Sequence, residues 1–238
     1  MQIRRFHCPE LTPDLGEAVL PAGEAAHALR VLRLAPGDRL QLLNGHGLIA
    51  EAELLPPPNG ARHPREARCR ILSCRECPPP RPLTLVVAPP RGKAFDLVLR
   101  AATELGFTAV QPVLSLRGVA RPEECSSNWQ ETILAAMKQS INAWPPQVLA
   151  PQAFDALLDA TPPATMLFGA LPRDGARPRP DAASIQSIWV GPEGGFAPEE
   201  EEALLAHGAI PATIGPAVLR VETAVPALAG YLAALSIS

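Results

Sequence analysis

The run Pro78-Pro79-Pro80-Arg81-Pro82 divides this sequence into two stretches with different hydrophobic periods. Each proline locks φ and removes an N–H donor, so neither a helix nor a central strand continues through it. Polyproline forms an extended, semi-stiff connection. A domain boundary is expected there, with one domain over residues 1–76 and a second over residues 81–238. A chain of 238 residues suffices for one large domain or two small ones.

The first stretch reads as short strands and turns. Leu40–Leu43 and Leu48–Leu54 are apolar runs flanking Asn44-Gly45-His46-Gly47, a hairpin signal. Ala35-Pro36-Gly37-Asp38 is a turn, and Pro56–Gly60 a loop. Glu24–Leu32 has helical spacing, with Ala25, Ala28, Leu29 and Leu32 on one face. Cys69–Leu72 is a candidate closing strand. Short strands separated by turn signals predict a small β-barrel.

Beyond the prolines, strands and helices alternate. Strands are expected at Leu83–Ala88, Ala109–Leu114, Gln147–Ala150, Ala164–Gly169, Ser187–Val190 and Pro211–Ile214. Pro112 should lie at an edge or bulge. Helices are expected at Lys93–Leu105, Ser127–Ala143 and Phe154–Ala160, from Pro198 to Gly208, and at Glu222–Leu235. Pro226 is tolerated only in the first turn of the last helix. Such alternation implies an α/β domain with a mainly parallel sheet.

Composition narrows the functional classes. Hydrophobic residues make up 47% and charged residues 19%, which supports a buried core. No apolar run reaches the ~18–20 residues of a membrane helix. The N-terminus MQIRRFHCPEL lacks the apolar core of a signal peptide, so a cytoplasmic location is expected. The odd number of cysteines, five, argues against a disulfide framework, and the isolated Cys74/Cys77 pair falls short of a zinc set. No metal is expected. Residues 151–238 carry 4 basic and 10 acidic residues, leaving a mildly basic front that suits phosphates.

Two loops could carry chemistry. Gly191-Pro192-Glu193-Gly194-Gly195-Phe196 follows a strand and precedes an acidic helix. It matches neither GxGxxG nor GxxxxGK[ST] and has no nearby lysine, so it reads poorly as a phosphate loop. The second, Ile214 to Ala224, also lies between strand and helix. Its charges Arg220 and Glu222 read either as an ion pair capping the last helix or as part of a ligand loop.

GPEGGF followed by IGPAVLRVETA resembles the two signature loops of the SPOUT (α/β-knot) RNA methyltransferases, most closely the RsmE family of small-subunit (16S) ribosomal RNA uridine-N3 methyltransferases. His27–Leu34 with Pro36-Gly37-Asp38 resembles that family's PUA-like barrel motif. Arg91-Gly92-Lys93, Thr103–Gly106, and Gln139 with Pro146 and Val148 agree with its methyltransferase domain. The resemblance implies a small PUA-like, RNA-binding β-barrel before an α/β trefoil-knot domain. It also implies a homodimer that binds S-adenosyl-L-methionine in the knot and acts on ribosomal RNA, as assembled 30S particles. The implied cofactor residues are Leu167, Gly169, Gly191, Glu193, Gly194, Gly195, Ile214, Gly215, Leu219, Arg220 and Thr223. Arg220 is the implied electrostatic catalyst and Glu222 its orienting partner. Arg4, Arg30, Arg33, Arg91, Lys93 and Arg117 are the implied RNA contacts.

The sequence departs from the family pattern at polar positions. Ala101 stands in place of lysine, Leu116 and Lys138 in place of glutamates, and Asn142 and Ala217 in place of arginines. Two other readings stay open on sequence alone. One is a non-catalytic or retargeted RNA-binding or ribosome-assembly protein on the same fold. The other is an unrelated α/β enzyme with a phosphorylated small-molecule ligand.

Overall fold

The turn chemistry of the first stretch folds as its residues dictate. In this computed structural model, which describes residues 3–57, 66–122, 125–172 and 180–236, Asn44 closes the hairpin between β3 (Arg39–Leu43) and β4 (Leu48–Leu54). Its side-chain oxygen accepts hydrogen bonds from the N–H groups of His46 and Leu48, at 2.7 and 2.9 Å. Three further strands complete a five-stranded sheet: β1 (Arg4–His7), β2 (Glu17–Val19) and β5 (Arg68–Glu76). The spatial order is β1-β3-β4-β5-β2, antiparallel except for the β1–β3 pair. Phe6, Leu11, Leu40, Leu42, Leu54 and Cys69 are fully buried in its core.

Several boundaries differ from the sequence expectation. β1 and β2 were not foreseen, because three or four residues bearing charges show no readable period. β5 runs well beyond Cys69–Leu72, as its paired partners β4 and β2 extend it. The helix expected over 24–32 is α1 (Ala22–Ala26) followed by one π-helical turn, His27–Val31. Leu32 N–H there reaches back to His27 O, and the widened turn buries Ala28. The loop expected at Pro56–Gly60 lies, from Pro58 on, outside the described residues.

The described chain forms two compact units, Met1–Pro80 with Leu134–Pro145, and Arg81–Ile133 with Pro146–Ser238. The segment 134–145 therefore joins the first unit rather than the second. Within the first unit Lys138 Nζ meets Glu24 Oε1 at 2.5 Å, with both side chains mostly buried. Glu24 Oε2 is buried without a hydrogen-bond partner. Met137 and Ala143 pack against Leu43 and Ile49.

The second unit is built on parallel strands that are apolar on both faces. These are β6 (Thr84–Val87), β7 (Ala109–Leu114), β8 (Gln147–Val148), β9 (Gln152–Ala153), β10 (Met166–Gly169), β11 (Ser187–Val190) and β12 (Ile210–Ala212). The order is β12-β10-β11-β6-β7-β8, with β9 also on β7, and every pair is parallel. Alternation sorts the side chains to the two faces. Leu85, Val87, Leu167, Ile188 and Val190 enter one core with residues of α2 (Ala94–Glu104) and α6 (Val221–Ser236). Val86, Phe168 and Trp189 enter the other, with residues of α4 (Phe154–Ala160) and α5 (Pro198–Ala206). Coverage of both faces is why these strands read as continuous apolar runs.

Pro112 sits where the outer partner of β7 changes from β8 to β9, a break in pairing that tolerates a residue without N–H. Gln111 bridges that break, donating to Ala150 O at 2.7 Å. α3 (Ser127–Ser140) ends three residues before the expected Ala143, as Ile141 turns to φ 60. Pro226 is the sixth residue of α6, beyond the first turn. Most of the polar loop expected at Pro172–Ala182 lies outside the described residues.

Two stability predictions follow from the first unit. Lys138→Ala strands the buried Glu24 carboxylate and should cost about 1–3 kcal/mol in urea unfolding; adding Glu24→Gln should recover part of it. Burial pushes the His7 imidazole below its ordinary 6.5, against the Asn44 backbone and Glu24, which favour its charged form. Its folded value is depressed, so the unfolded chain takes up the proton first, and stability is lost as pH falls through 6.5. Melting curves from pH 8 to pH 5 should fall more steeply for the wild type than for His7→Gln.

Candidate active site

The loops after β10, β11 and β12 leave one edge of the sheet together, because the three strands are adjacent and parallel. Ligands in α/β sheets bind at this carboxyl edge. A partly open cleft lies among the three loops and α6.

The loop after β11 keeps its shape through contacts that exclude side chains. A Cβ on Gly191 would lie 2.8 Å from Phe196 N, closer than real Cβ atoms come. Gly195 has φ 70, and its N–H donates to Pro192 O at 2.8 Å. Phe196 anchors the end of the loop in the core, its ring centroid 5.7 Å from that of Phe154. Glu200, buried in the first turn of α5, accepts from Ala197 N at 2.9 Å and from Leu116 N at 2.8 Å.

The loop after β12 is tied to the loop after β10. Thr213 Oγ1 donates to Ala170 O at 3.2 Å, and Ala170 N to Ala212 O at 2.9 Å. Arg220 O accepts from the N–H groups of Thr223 and Ala224, which starts α6. The Arg220 and Glu222 side chains approach to 4.0 Å; Glu222 is 19% exposed and Arg220 82%.

Of the expected cofactor residues, Gly169, Gly191, Glu193, Gly195, Ile214 and Leu219 line the cavity. Leu167 lies in the core beneath it. Gly194, Gly215, Arg220 and Thr223 belong to the same loops but do not line it. Of the departures from the family pattern, Ala217 is a lining residue. Lining residues that sequence reasoning missed include Ala170, Leu171, Thr213, Val218 and Leu228. These are ordinary aliphatic or small residues, and only the order of the strands marks them.

The expected RNA contacts divide by environment. Arg4, Arg30, Arg33, Arg91 and Lys93 are exposed, Arg33 at φ 53. Arg117 is committed to main chain, as its Nη1 donates to Gly194 O at 2.9 Å and Phe196 O at 3.4 Å. Among the described residues, no group of three or more His, Cys, Asp or Glu side chains is placed to hold a metal ion.

Comparison with known proteins agrees with this geometry. Residues 77–233 match the pattern of an RNA methyltransferase domain, and residues 20–59 that of an RNA methyltransferase PUA domain. The ribosomal RNA small subunit methyltransferase E of Synechocystis is 32% identical, over 86% of this chain and 69% of its own length. The protein of the same name from Mycobacterium bovis is 31% identical, over 94% of this chain and 89% of its own. The chain belongs to the ribosomal RNA small subunit methyltransferase E family. The Neisseria gonorrhoeae family member, solved bound to S-adenosyl methionine, superposes with a TM-score of 0.86 at 29% identity, covering 98% of both chains. The PUA match falls within the first unit, and the methyltransferase match covers most of the second together with 134–145, in a mixed α/β architecture.

The glycine loop after β11 makes opposite demands from those of an exposed helical glycine. Gly191→Ala should destabilise by about 1–3 kcal/mol through overpacking against Phe196. Gly230→Ala, exposed in α6 with open space at its Cβ position, should stabilise by about 0.5–1 kcal/mol. Thermal midpoints of the two variants, shifted in opposite directions from the wild type, check both.

Proposed function

We propose that this chain transfers a methyl group from S-adenosylmethionine to N3 of a uridine in small-subunit ribosomal RNA. The observation that carries the reading is the cavity enclosed by the loops after β10, β11 and β12, in a chain of this family. The cavity fits the donor chemically. Its lining is aliphatic and main-chain, with glycines where a ligand can approach the backbone closely, and its one carboxylate, Glu193, is exposed. Gly169, Gly191, Gly195, Ile214 and Leu219 would hold the donor, with Glu193, Gly194, Gly215 and Thr223 shaping the loops around it.

When bound, the sulfonium supplies an electrophilic methyl group. The residues of the chain supply placement and electrostatics. Val218 and Leu219 form an aliphatic lip on one side of the cavity. Arg220, oriented by Glu222, presents a cation outside it, where a uracil losing its N3 proton develops negative charge. Uracil N3 lies on the base-pairing edge, so the target base must leave its stack or come from an unpaired region. Arg4, Arg30 and Arg33 on the PUA unit, and Arg91 and Lys93 on the methyltransferase unit, would contact phosphates.

The proposal extends to the assembly and the topology. The segment between β12, at the sheet edge, and α6, which packs on β11 and α2, would thread the trefoil knot. A homodimer would place each site near its partner, with assembled 30S particles as substrate and the cytoplasm as the location.

Purified protein should transfer label from methyl-labelled S-adenosylmethionine to 30S subunits lacking the modification, with N3-methyluridine as the product by nucleoside mass spectrometry. Arg220→Ala should slow transfer about 10²-fold while leaving cofactor binding close to wild type. Binding of ribosomal RNA without any transfer would instead identify a non-catalytic relative.

A further inference from the structure

We infer that Arg117 is a positioning residue for the glycine loop Gly191–Phe196, and through it for cofactor binding, rather than a phosphate contact. The inference rests on the proposal that the cavity among the loops after β10, β11 and β12 holds the methyl donor.

Arg117 lies in a tight turn just after β7, closed by Gly118 N donating to Ser115 O at 3.1 Å. Arg121 Nη2 also donates to Ser115 O, at 3.2 Å. From this turn the Arg117 guanidinium reaches Gly194 O and Phe196 O. One residue earlier, Leu116 N donates to Glu200 Oε1, while Glu200 Oε2 accepts from Ala197 N. The turn therefore grips the segment 194–200 at both ends, by a guanidinium on two carbonyls and by a buried carboxylate on two amides.

Packing holds the loop at Phe196 and against Leu171, and between them the backbone depends on hydrogen bonds. Gly194 and Gly195 carry no side chains. A second, smaller cleft is lined by Arg117, Phe168, Leu171, Gly195, Phe196 and Glu201 among others. Gly195, Gly169, Ala170 and Leu171 border both cavities. Arg117 supplies two of the hydrogen bonds that reach the loop from outside. The planar fork of arginine suits two neighbouring carbonyls in a way that a lysine ammonium does not.

The test uses the full-length protein with Arg117→Ala and Arg117→Lys. Hydrogen exchange of peptides spanning 191–200, measured without cofactor, should speed up about tenfold in Arg117→Ala, with β6 peptides unchanged. Calorimetry should show the Kd for S-adenosylmethionine rising about tenfold in Arg117→Ala and less in Arg117→Lys. Affinity for 16S ribosomal RNA and its salt dependence should stay at wild-type values. Unchanged exchange of the loop overturns the inference. So does a fall in RNA affinity with a shallower salt slope and an unaltered cofactor Kd, which would mark Arg117 as a phosphate contact. If the wild type takes up no S-adenosylmethionine, the methyl-donor reading fails, and loop exchange alone still decides whether Arg117 braces the loop.

Discussion

The parallel pairing of β10 with β11 and β12 is the constraint on which the site depends. Register places Phe168 beside Trp189 and Gly169 beside Ala212, so the three strands end nearly level. Their loops then leave from one edge, and short segments that singly border little space line one cavity together. The pairing is secured from both faces. Leu167, Ile188 and Val190 are locked under α2 and α6, and Phe168 and Trp189 under α4 and α5. A parallel sheet has no other way to satisfy its apolar strands than to be covered twice.

Around that edge, neutral groups and charges are segregated. Glycines and aliphatic side chains line the cavity, while the Arg220 guanidinium stays 82% exposed beside Glu222. On the reading proposed above, a cation outside the cavity would avoid repelling a sulfonium and would remain available to a base that gains negative charge. Glu200 shows the complementary use of burial. Its carboxylate is nearly inaccessible, and both oxygens accept backbone N–H groups, so it stabilises two segments instead of reacting.

The departures from the family's polar pattern gain local explanations in part. Lys138, which the resemblance marks as a departure from a glutamate, pairs with Glu24. Asn142 accepts from Trp144 N at 2.8 Å just after the left-handed turn at Ile141. Leu116 uses its main chain, not its side chain, to meet Glu200. Ala217 lines the cavity and leaves the lip aliphatic. Ala101 packs against the core beside α6.

Much of the architecture was legible in the residues. Polyproline, the Asn44-Gly45 hairpin and the doubly apolar strands Ala109–Leu114 and Ser187–Val190 act over a few positions, and local rules suffice for them. Phe154–Ala160 and the Pro198 helix start were likewise readable, as were the two glycine-bearing loops. What only the tertiary structure decided depends on distant neighbours. β1 and β2 exist because of their pairing partners, and 134–145 joins the first unit through side chains such as Met137 and Lys138. Ala170, Thr213 and Leu228 become lining residues through the strand order alone. The sequence by itself determined which loops could approach a ligand. The sheet decided that they share one cavity, and that Arg117 faces the loop backbone, because both depend on which strands lie side by side.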